Sequence, residues 1–264
     1  MHRVSKNLPE GVWPTAEPIM IADTSYVNLQ YTNTLNAFEA ASGYLFTKVY
    51  SIRDESSLLE SKLDAVITPY LVVPSLPYSH FWYSLSASTQ HAIRNYVNYG
   101  GKLIVCGDDS SNAIDLLNGM FGWSLTRGWS LNEASWIPDS RVLSSLNTTG
   151  VAETSFEGGP AFLPTPADQS YVHTVRLASL PPSARVMYTI VDVWVFGAPY
   201  GAGSVIYMGL AFERTPIDPT WTNILTRVLK YSSPTFSLPT SAPTSGPMST
   251  SNSPPPTSPP RGNL

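Results

Sequence analysis

Thiols are nearly missing from this sequence: Cys106 is the only cysteine in 264 residues. One thiol excludes an internal disulfide framework and any multi-thiolate zinc site. The histidines are few and scattered, at positions 2, 80, 91 and 173. None stands in an H-x-H or H-x-x-x-H pair, so neither a metal nor a cofactor is expected. Charge is scarce as well. Only 13% of residues are charged, with 15 Lys and Arg against 19 Asp and Glu. A net charge of −4 leaves no basic footprint, so nucleic acid is not an expected partner. No apolar run reaches the roughly 18 residues that a membrane-spanning helix needs. The opening text, MHRVSKNLPEGVWPTAEP, lacks an apolar h-region and does not read as a signal peptide.

What the sequence does have is apolar residues, 42% of the total, enough for a real core in a globular part of about 230 residues. Character changes at Ser232. From 234 to 264 the only charge is Arg261, and Pro, Ser and Thr dominate. Such text cannot bury enough surface to offset its ordering entropy, so residues 232–264 read as a disordered tail or stalk. A tail of this kind favours an extracellular or cell-surface setting, against the missing signal peptide. In that setting Asn147, which opens an Asn-Thr-Thr triplet, would be a glycosylation acceptor.

Between an N-terminal extension (1–17) and the tail, strand and helix signals alternate. PIMIAD (18–23) is a first strand, and TNTLNAFEAAS a helix closed by Gly43. YLFTKVYSI (44–52) is a second strand, SSLLESKL a helix, and DAVITPYLVV a third strand. In SASTQHAIRNYVNYGG, Ser86 or Ser88 caps a helix whose apolar stripe is Ile93, Tyr96 and Val97. KLIVCGD follows as a strand. The next helix, SSNAIDLLNGMFGW, turns Ile114, Leu117 and Met120 inward. This βα alternation calls for a mostly parallel sheet with helices on both faces. Residues 124–184 are rich in Gly, Pro, Ser and Thr, a loop-rich β insertion with strand text near 171–177. RVMYTIVDVWVFGAPYGAGSVIYMGL gives two or three strands turning at GAPYGAG (197–203). A last helix has Asp218 as N-cap, Pro219 at N1, and an apolar face of Trp221, Ile224, Leu225, Val228 and Leu229.

DAVITP, the helix ending in NYVNYGGKLIVCGD, and the later strand GAGSVIYMG (201–209) together resemble the class I glutamine amidotransferase-like superfamily, in its ThuA-like, non-amidotransferase branch. The resemblance spans roughly 18–231 and implies a flavodoxin-like three-layer α/β fold. It implies no reaction by itself. The amidotransferases of this superfamily carry their nucleophile as G-x-C-x-G in a strand-to-helix turn, with His and Glu downstream. Here Ile104 and Asp108 stand where the glycines belong, and Cys106 falls within the strand LIVC. The downstream text LAFERTPIDP offers Glu213 without a histidine, and His173 sits in the insertion. The chain is therefore not expected to be an active glutamine amidotransferase.

Sites in open α/β sheets lie beyond the carboxyl ends of the strands. That rule selects Asp23 and Thr24, then Pro69 and Tyr70, then residues 107–111, and finally Glu213. Asp108, Asp109 and Glu213 are the candidate catalytic residues, since paired carboxylates in different environments can divide acid and base work, or hold a hard cation. Asp23, Thr24, Tyr70, Ser110 and Ser111 are the candidate ligand-binding residues. The plainer reading comes first: Asp108, Asp109 or Ser110 caps a helix, and Asp23 makes a turn. Likewise Tyr78, Phe81, Trp82 and Tyr83 either stack on a sugar or pack a loop onto the core. Two functions follow. One is a non-catalytic or degenerate domain that binds or assembles within a larger protein. The other is a hydrolase or carbohydrate-processing enzyme working through the acidic loop residues. The partner is a small molecule, a carbohydrate or a protein.

Overall fold

The computed structural model describes residues 17–64, 68–78, 81–107, 110–130, 173–189, 192–212 and 219–231. The expected Asp108, Asp109, Asn147, Glu213, Asp218 and the tail lie outside these residues.

The strands are β1 (Ile19–Ile21), β2 (Thr47–Val49), β3 (Leu71–Val73), β4 (Lys102–Cys106), β5 (Arg127–Ser130), β6 (His173–Val175), β7 (Arg185–Thr189), β8 (Val193–Tyr200) and β9 (Gly203–Met208). They form one mixed sheet in the order β2-β1-β3-β4-β9-β8-β6-β5, with β7 also paired to β8. The first five positions of that order are parallel, and β8, β7, β6 and β5 add antiparallel pairings. The parallel part is the flavodoxin-like order, so the fold class is the expected one. Within the segment read as a loop-rich insertion, β5 and β6 extend the main sheet.

The helices are α1 (Tyr31–Ser42), α2 (Ser56–Asp64), the single turn α3 (Phe81–Ser84), α4 (Ala87–Asn98), α5 (Asn112–Phe121) and α6 (Pro219–Lys230). Side chains of a strand alternate between faces, and the core divides accordingly. Leu103 and Val105 join Ile93, Val97, Ile114 and Leu117 under α4 and α5. Ile104 and Cys106 join Phe38 and Trp221 under α1 and α6. This is the three-layer arrangement.

Local signals placed the helices well. Gly43 ends α1 at φ 73°, its N–H donating to the Glu39 carbonyl at 2.9 Å. Ser86 is the cap of α4, its hydroxyl accepting from Thr89 N at 3.1 Å. All five apolar residues expected on α6 are buried. The hairpin differs: Gly197 to Tyr200 belong to β8, and the turn is only residues 201–202. A Cβ on Gly197 would sit 2.6 Å from the Tyr231 ring, so that glycine serves close packing rather than a bend.

Lys102 opens β4 and is partly buried. Its ammonium donates to the carbonyls of Val228, at 3.5 Å, and Leu229, and lies 5.1 Å from the Tyr70 ring centroid. It thus caps the last turn of α6. Burial lowers its pKa from 10.5 to about 8. Burial likewise pushes the Tyr96 phenol well above 10 and Tyr188 up to about 12. Between pH 8 and 10 the unfolded chain keeps the lysine proton that the folded chain has released, so stability rises with pH. Above pH 10 the unfolded phenols ionise while the folded ones stay protonated, so stability falls. Urea titrations across this range should show a gain of roughly 2 kcal/mol up to pH 10, then a decline. Lys102→Met should abolish the gain and leave the decline.

Candidate functional site

In the parallel part of the sheet the order reverses between β1 and β3, and a crevice outside the carboxyl ends is the expected ligand position. The described segments at that edge are residues 22–30, 50–55, 74–78, Gly107, residues 110–111 and 209–212, each following a strand.

Asp23 is 5% exposed. One carboxylate oxygen accepts from Ser25 N at 3.0 Å and the other from Ile52 N at 2.9 Å. Its carbonyl accepts from the N–H groups of Tyr26 and Val27. The side chain ties the β1 loop to the β2 loop, as an Asx turn with a long-range arm. Thr24 is exposed in that turn.

Ser110 fastens the loop after β4. Its hydroxyl donates to the Leu76 carbonyl at 3.3 Å and accepts from Asn112 N at 3.1 Å, while Asn112 Nδ2 donates to the same carbonyl at 2.7 Å. The loop following β4 is thereby stapled to the loop following β3. Ser111 is the residue before α5, with no side-chain cap bond. Its hydroxyl lies 3.5 Å from an Asp115 oxygen.

Tyr70 stands at the other end of the sheet. β3 begins at Leu71, and Tyr70 gives its carbonyl to Ile19 N at 2.9 Å. The expected third strand, DAVITPYLVV, put the residue after an earlier strand ending. Proline has no N–H for a ladder, so pairing starts beyond Pro69 and Tyr70 falls at the amino edge. Of the five ligand-binding candidates, the carboxyl edge gathers Asp23, Thr24, Ser110 and Ser111, and Tyr70 is away from them. The aromatic cluster also separates. Phe81 and Trp82 are buried, Phe81 against Tyr26 with centroids 5.5 Å apart, whereas Tyr78 and Tyr83 are exposed.

Residue-by-residue reasoning passed over His173, which the structure brings to this edge. It is 1% exposed at the start of β6. Nδ1 is 2.7 Å from the Ser110 carbonyl oxygen, and Nε2 is 3.1 Å from Arg127 Nη2. A carbonyl only accepts and a guanidinium only donates. These partners therefore assign the neutral imidazole with its proton on Nδ1. The histidine is held as a strut between the β4 loop and β5.

The backbone around it is tight. His173 N donates to the Gly209 carbonyl at 3.0 Å, Gly209 N to Trp194 O at 2.7 Å, Gly107 N to Met208 O, and Tyr207 OH to His173 O at 3.1 Å. A Cβ on Gly107 would lie 2.9 Å from the Tyr207 hydroxyl, and one on Gly209 only 2.2 Å from His173 O. Glycine is needed at both positions because strands β4, β9, β8 and β6 converge there.

Cys106 is fully buried one residue before this junction. It pairs with Met208, and its side chain is in the core beneath α1 and α6. Two further features mark the edge. Ser75 Oγ, in a residue 2% exposed, has no hydrogen-bond partner among the described residues. Phe212, the residue before Glu213 in the sequence, has φ 55°, a left-handed conformation that costs an aromatic residue about 1–3 kcal/mol. Phe38 and Trp221 meet its ring edge-on, with centroids 6.2 and 6.0 Å away. Among the described residues no group of three His, Cys, Asp or Glu side chains is placed to hold a metal ion, and no helix is long and apolar enough to cross a membrane.

No protein-family model and no curated protein matches the sequence. Solved structures do match. A cytoplasmic protein from Salmonella typhimurium LT2 is similar over 80% of this chain and 99% of its own, with TM-score 0.51 and 11% identity. A ThuA-like protein from Parabacteroides merdae is similar over 84% of this chain and 90% of its own, with TM-score 0.49 and 13% identity. A β-galactosidase from Rahnella sp. R3 is similar over 81% of this chain but 31% of its own, with TM-score 0.49 and 16% identity. At such identities a likeness concerns the fold alone.

Proposed function

We propose that this chain is a degenerate domain of the glutamine amidotransferase-like fold that binds or assembles rather than performing glutamine-dependent chemistry. Its role would lie within a larger protein or complex. The observation that carries this reading is the complete burial of the thiol within the sheet. A thiol nucleophile must be a thiolate within hydrogen-bond reach of a base, in a turn exposed to substrate. Cys106 is instead wholly inside the sheet, packed beneath α1 and α6. The histidine nearest the edge has its two ring nitrogens engaged by Ser110 and Arg127.

The reading predicts an inert thiol. With a neutral alkylating agent at pH 7.5, Cys106 should react only through global unfolding, slower than in urea by about 10³-fold or more. Rapid modification of the native protein would reject the proposal.

A second reading keeps an enzyme at the same edge, a hydrolase or carbohydrate-processing protein using Asp108, Asp109 and Glu213. The strained φ of Phe212 favours it, since backbone strain gathers at functional sites and this residue adjoins Glu213 in the sequence. Glycoside or ester hydrolysis lost in Glu213→Gln, with thermal stability unchanged, would establish it. Equal turnover by both proteins would remove it.

A further inference from the structure

Two loops leave the carboxyl edge side by side and then part. Met20 of β1 pairs with Val72 of β3, and continuing that parallel register past the strand ends sets Asp23 level with Ser75. Beyond this level the chain turns to opposite faces. The β1 loop leads into α1, whose Phe38 packs in the layer with α6. The β3 loop leads into α3 and α4, whose Phe81 and Ile93 pack in the other layer. Hydrogen bonds brace each loop from its outer side, from Ile52 N to Asp23 and from Ser110 and Asn112 to the Leu76 carbonyl. Tyr26 against Phe81, with centroids 5.5 Å apart, bridges the two loops at one point.

The groups between these loops are polar, and only one is charged. Ser75 Oγ is buried without a hydrogen-bond partner among the described residues, a costly state that a ligand hydroxyl relieves. Asp23 is buried as well. Each of its carboxylate oxygens accepts one backbone N–H and keeps a second lone pair. Thr24 and Ser25 are exposed, and Tyr78 is 52% exposed. Residues 22–30 and 74–78 contain no Lys or Arg, and Asp23 is their only charge. A phosphate or carboxylate ligand would therefore meet a carboxylate and no cation there. A neutral ligand fits if it donates one hydroxyl to Asp23 and pairs a neighbouring oxygen with Ser75. Sugar rings carry such adjacent hydroxyls, together with a C–H face that packs on an aromatic ring like that of Tyr78.

We propose that the crevice between the β1 and β3 loops binds one ring of a neutral sugar, with Asp23 and Ser75 hydrogen-bonded to adjacent hydroxyls and Tyr78 against its C–H face. This names the ligand class for the binding domain proposed above and rests on that reading.

The test titrates the isotope-labelled full chain with D-glucose, D-galactose and D-mannose, each to about 100 mM, the reach needed for a Kd in the mM range. Saturable amide shifts at Thr24, Ser25, Ser75 and Tyr78 are expected with at least one of them. Ser75→Ala removes the orphaned hydroxyl and a ligand bond together. It should weaken that sugar about tenfold while thermal stability holds or rises. Tyr78→Ala should weaken it by a similar factor, and Tyr83→Ala, at an exposed position on α3, should leave it unchanged. Glucose 6-phosphate should bind no better than glucose. Silence at those four amides with all three sugars would overturn the proposal. So would binding that survives both Ser75→Ala and Tyr78→Ala, or tighter binding of the phosphorylated sugar. None of these probes has a glycosidic bond to cleave, so the result is independent of turnover. A reactive native Cys106 would reject the underlying reading, whereas an inert Cys106 with silent sugars would reject this inference alone.

Discussion

Gly209→Ala is expected to be among the most damaging single substitutions in the protein. A Cβ there would lie 2.2 Å from the His173 carbonyl and 3.1 Å from the Trp194 carbonyl. Both obstacles are backbone in neighbouring strands, so no rotamer change relieves them. The same glycine donates to Trp194 O and accepts from His173 N. Relief therefore means parting β9 from β8 or from the start of β6 and sacrificing one of those bonds. A loss of about 3 kcal/mol or more is expected, the upper end of overpacking costs. It would be read as a lower urea midpoint at unchanged m value. Gly43→Ala is the control. Its Cβ would meet nothing within 4 Å, so it should cost only the left-handed backbone penalty of about 1 kcal/mol. Equal losses in the two variants would show that the junction is looser than described.

Trp221→Ala should be comparably severe, by the opposite mechanism. Trp221 is 1% exposed on α6 and meets Phe212 edge-on, with centroids 6.0 Å apart and planes at 86°. Removing it leaves a cavity between α6 and the sheet, at a cost of about 4 kcal/mol. Phe212, at φ 55°, then loses one of the two rings that meet it edge-on. Its backbone should relax, and amide exchange at residues 210–212 should accelerate beyond the change in global stability. Exchange that tracks global stability alone would place the origin of the Phe212 conformation elsewhere, for instance in the bond from Thr34 Oγ1 to the Ala211 carbonyl at 2.6 Å.

Helices were the legible part of this sequence because their signals are local. The stripe from Trp221 to Leu229 repeats with the helical period, Ser86 stands three residues before the N–H it accepts from, and Gly43 takes the left-handed turn at the end of α1. Strand identity was legible for the same reason, though less sharply. Three-residue strands such as β1 and β3 leave little pattern from which to fix their ends. That is how Tyr70 came to be expected on the wrong edge: a shift of a few residues in a strand boundary moves a residue from one end of the sheet to the other.

For the site, sequence by itself determined that Cys106 lies within a strand, because LIVC is an unbroken apolar run followed by Gly107. It also singled out Asp23 and Ser110 as residues with backbone donors to satisfy. Only the tertiary structure decided what His173 does. Its partners, Ser110 and Arg127, are 63 and 46 residues away, and no periodic pattern records a contact of that range. The same holds for Gly107 and Gly209, whose need for a missing side chain arises from strands brought together by the sheet order. Helix and strand periods are written into neighbouring residues. The convergence of β4, β9, β8 and β6 on one junction exists only once the chain has closed over itself.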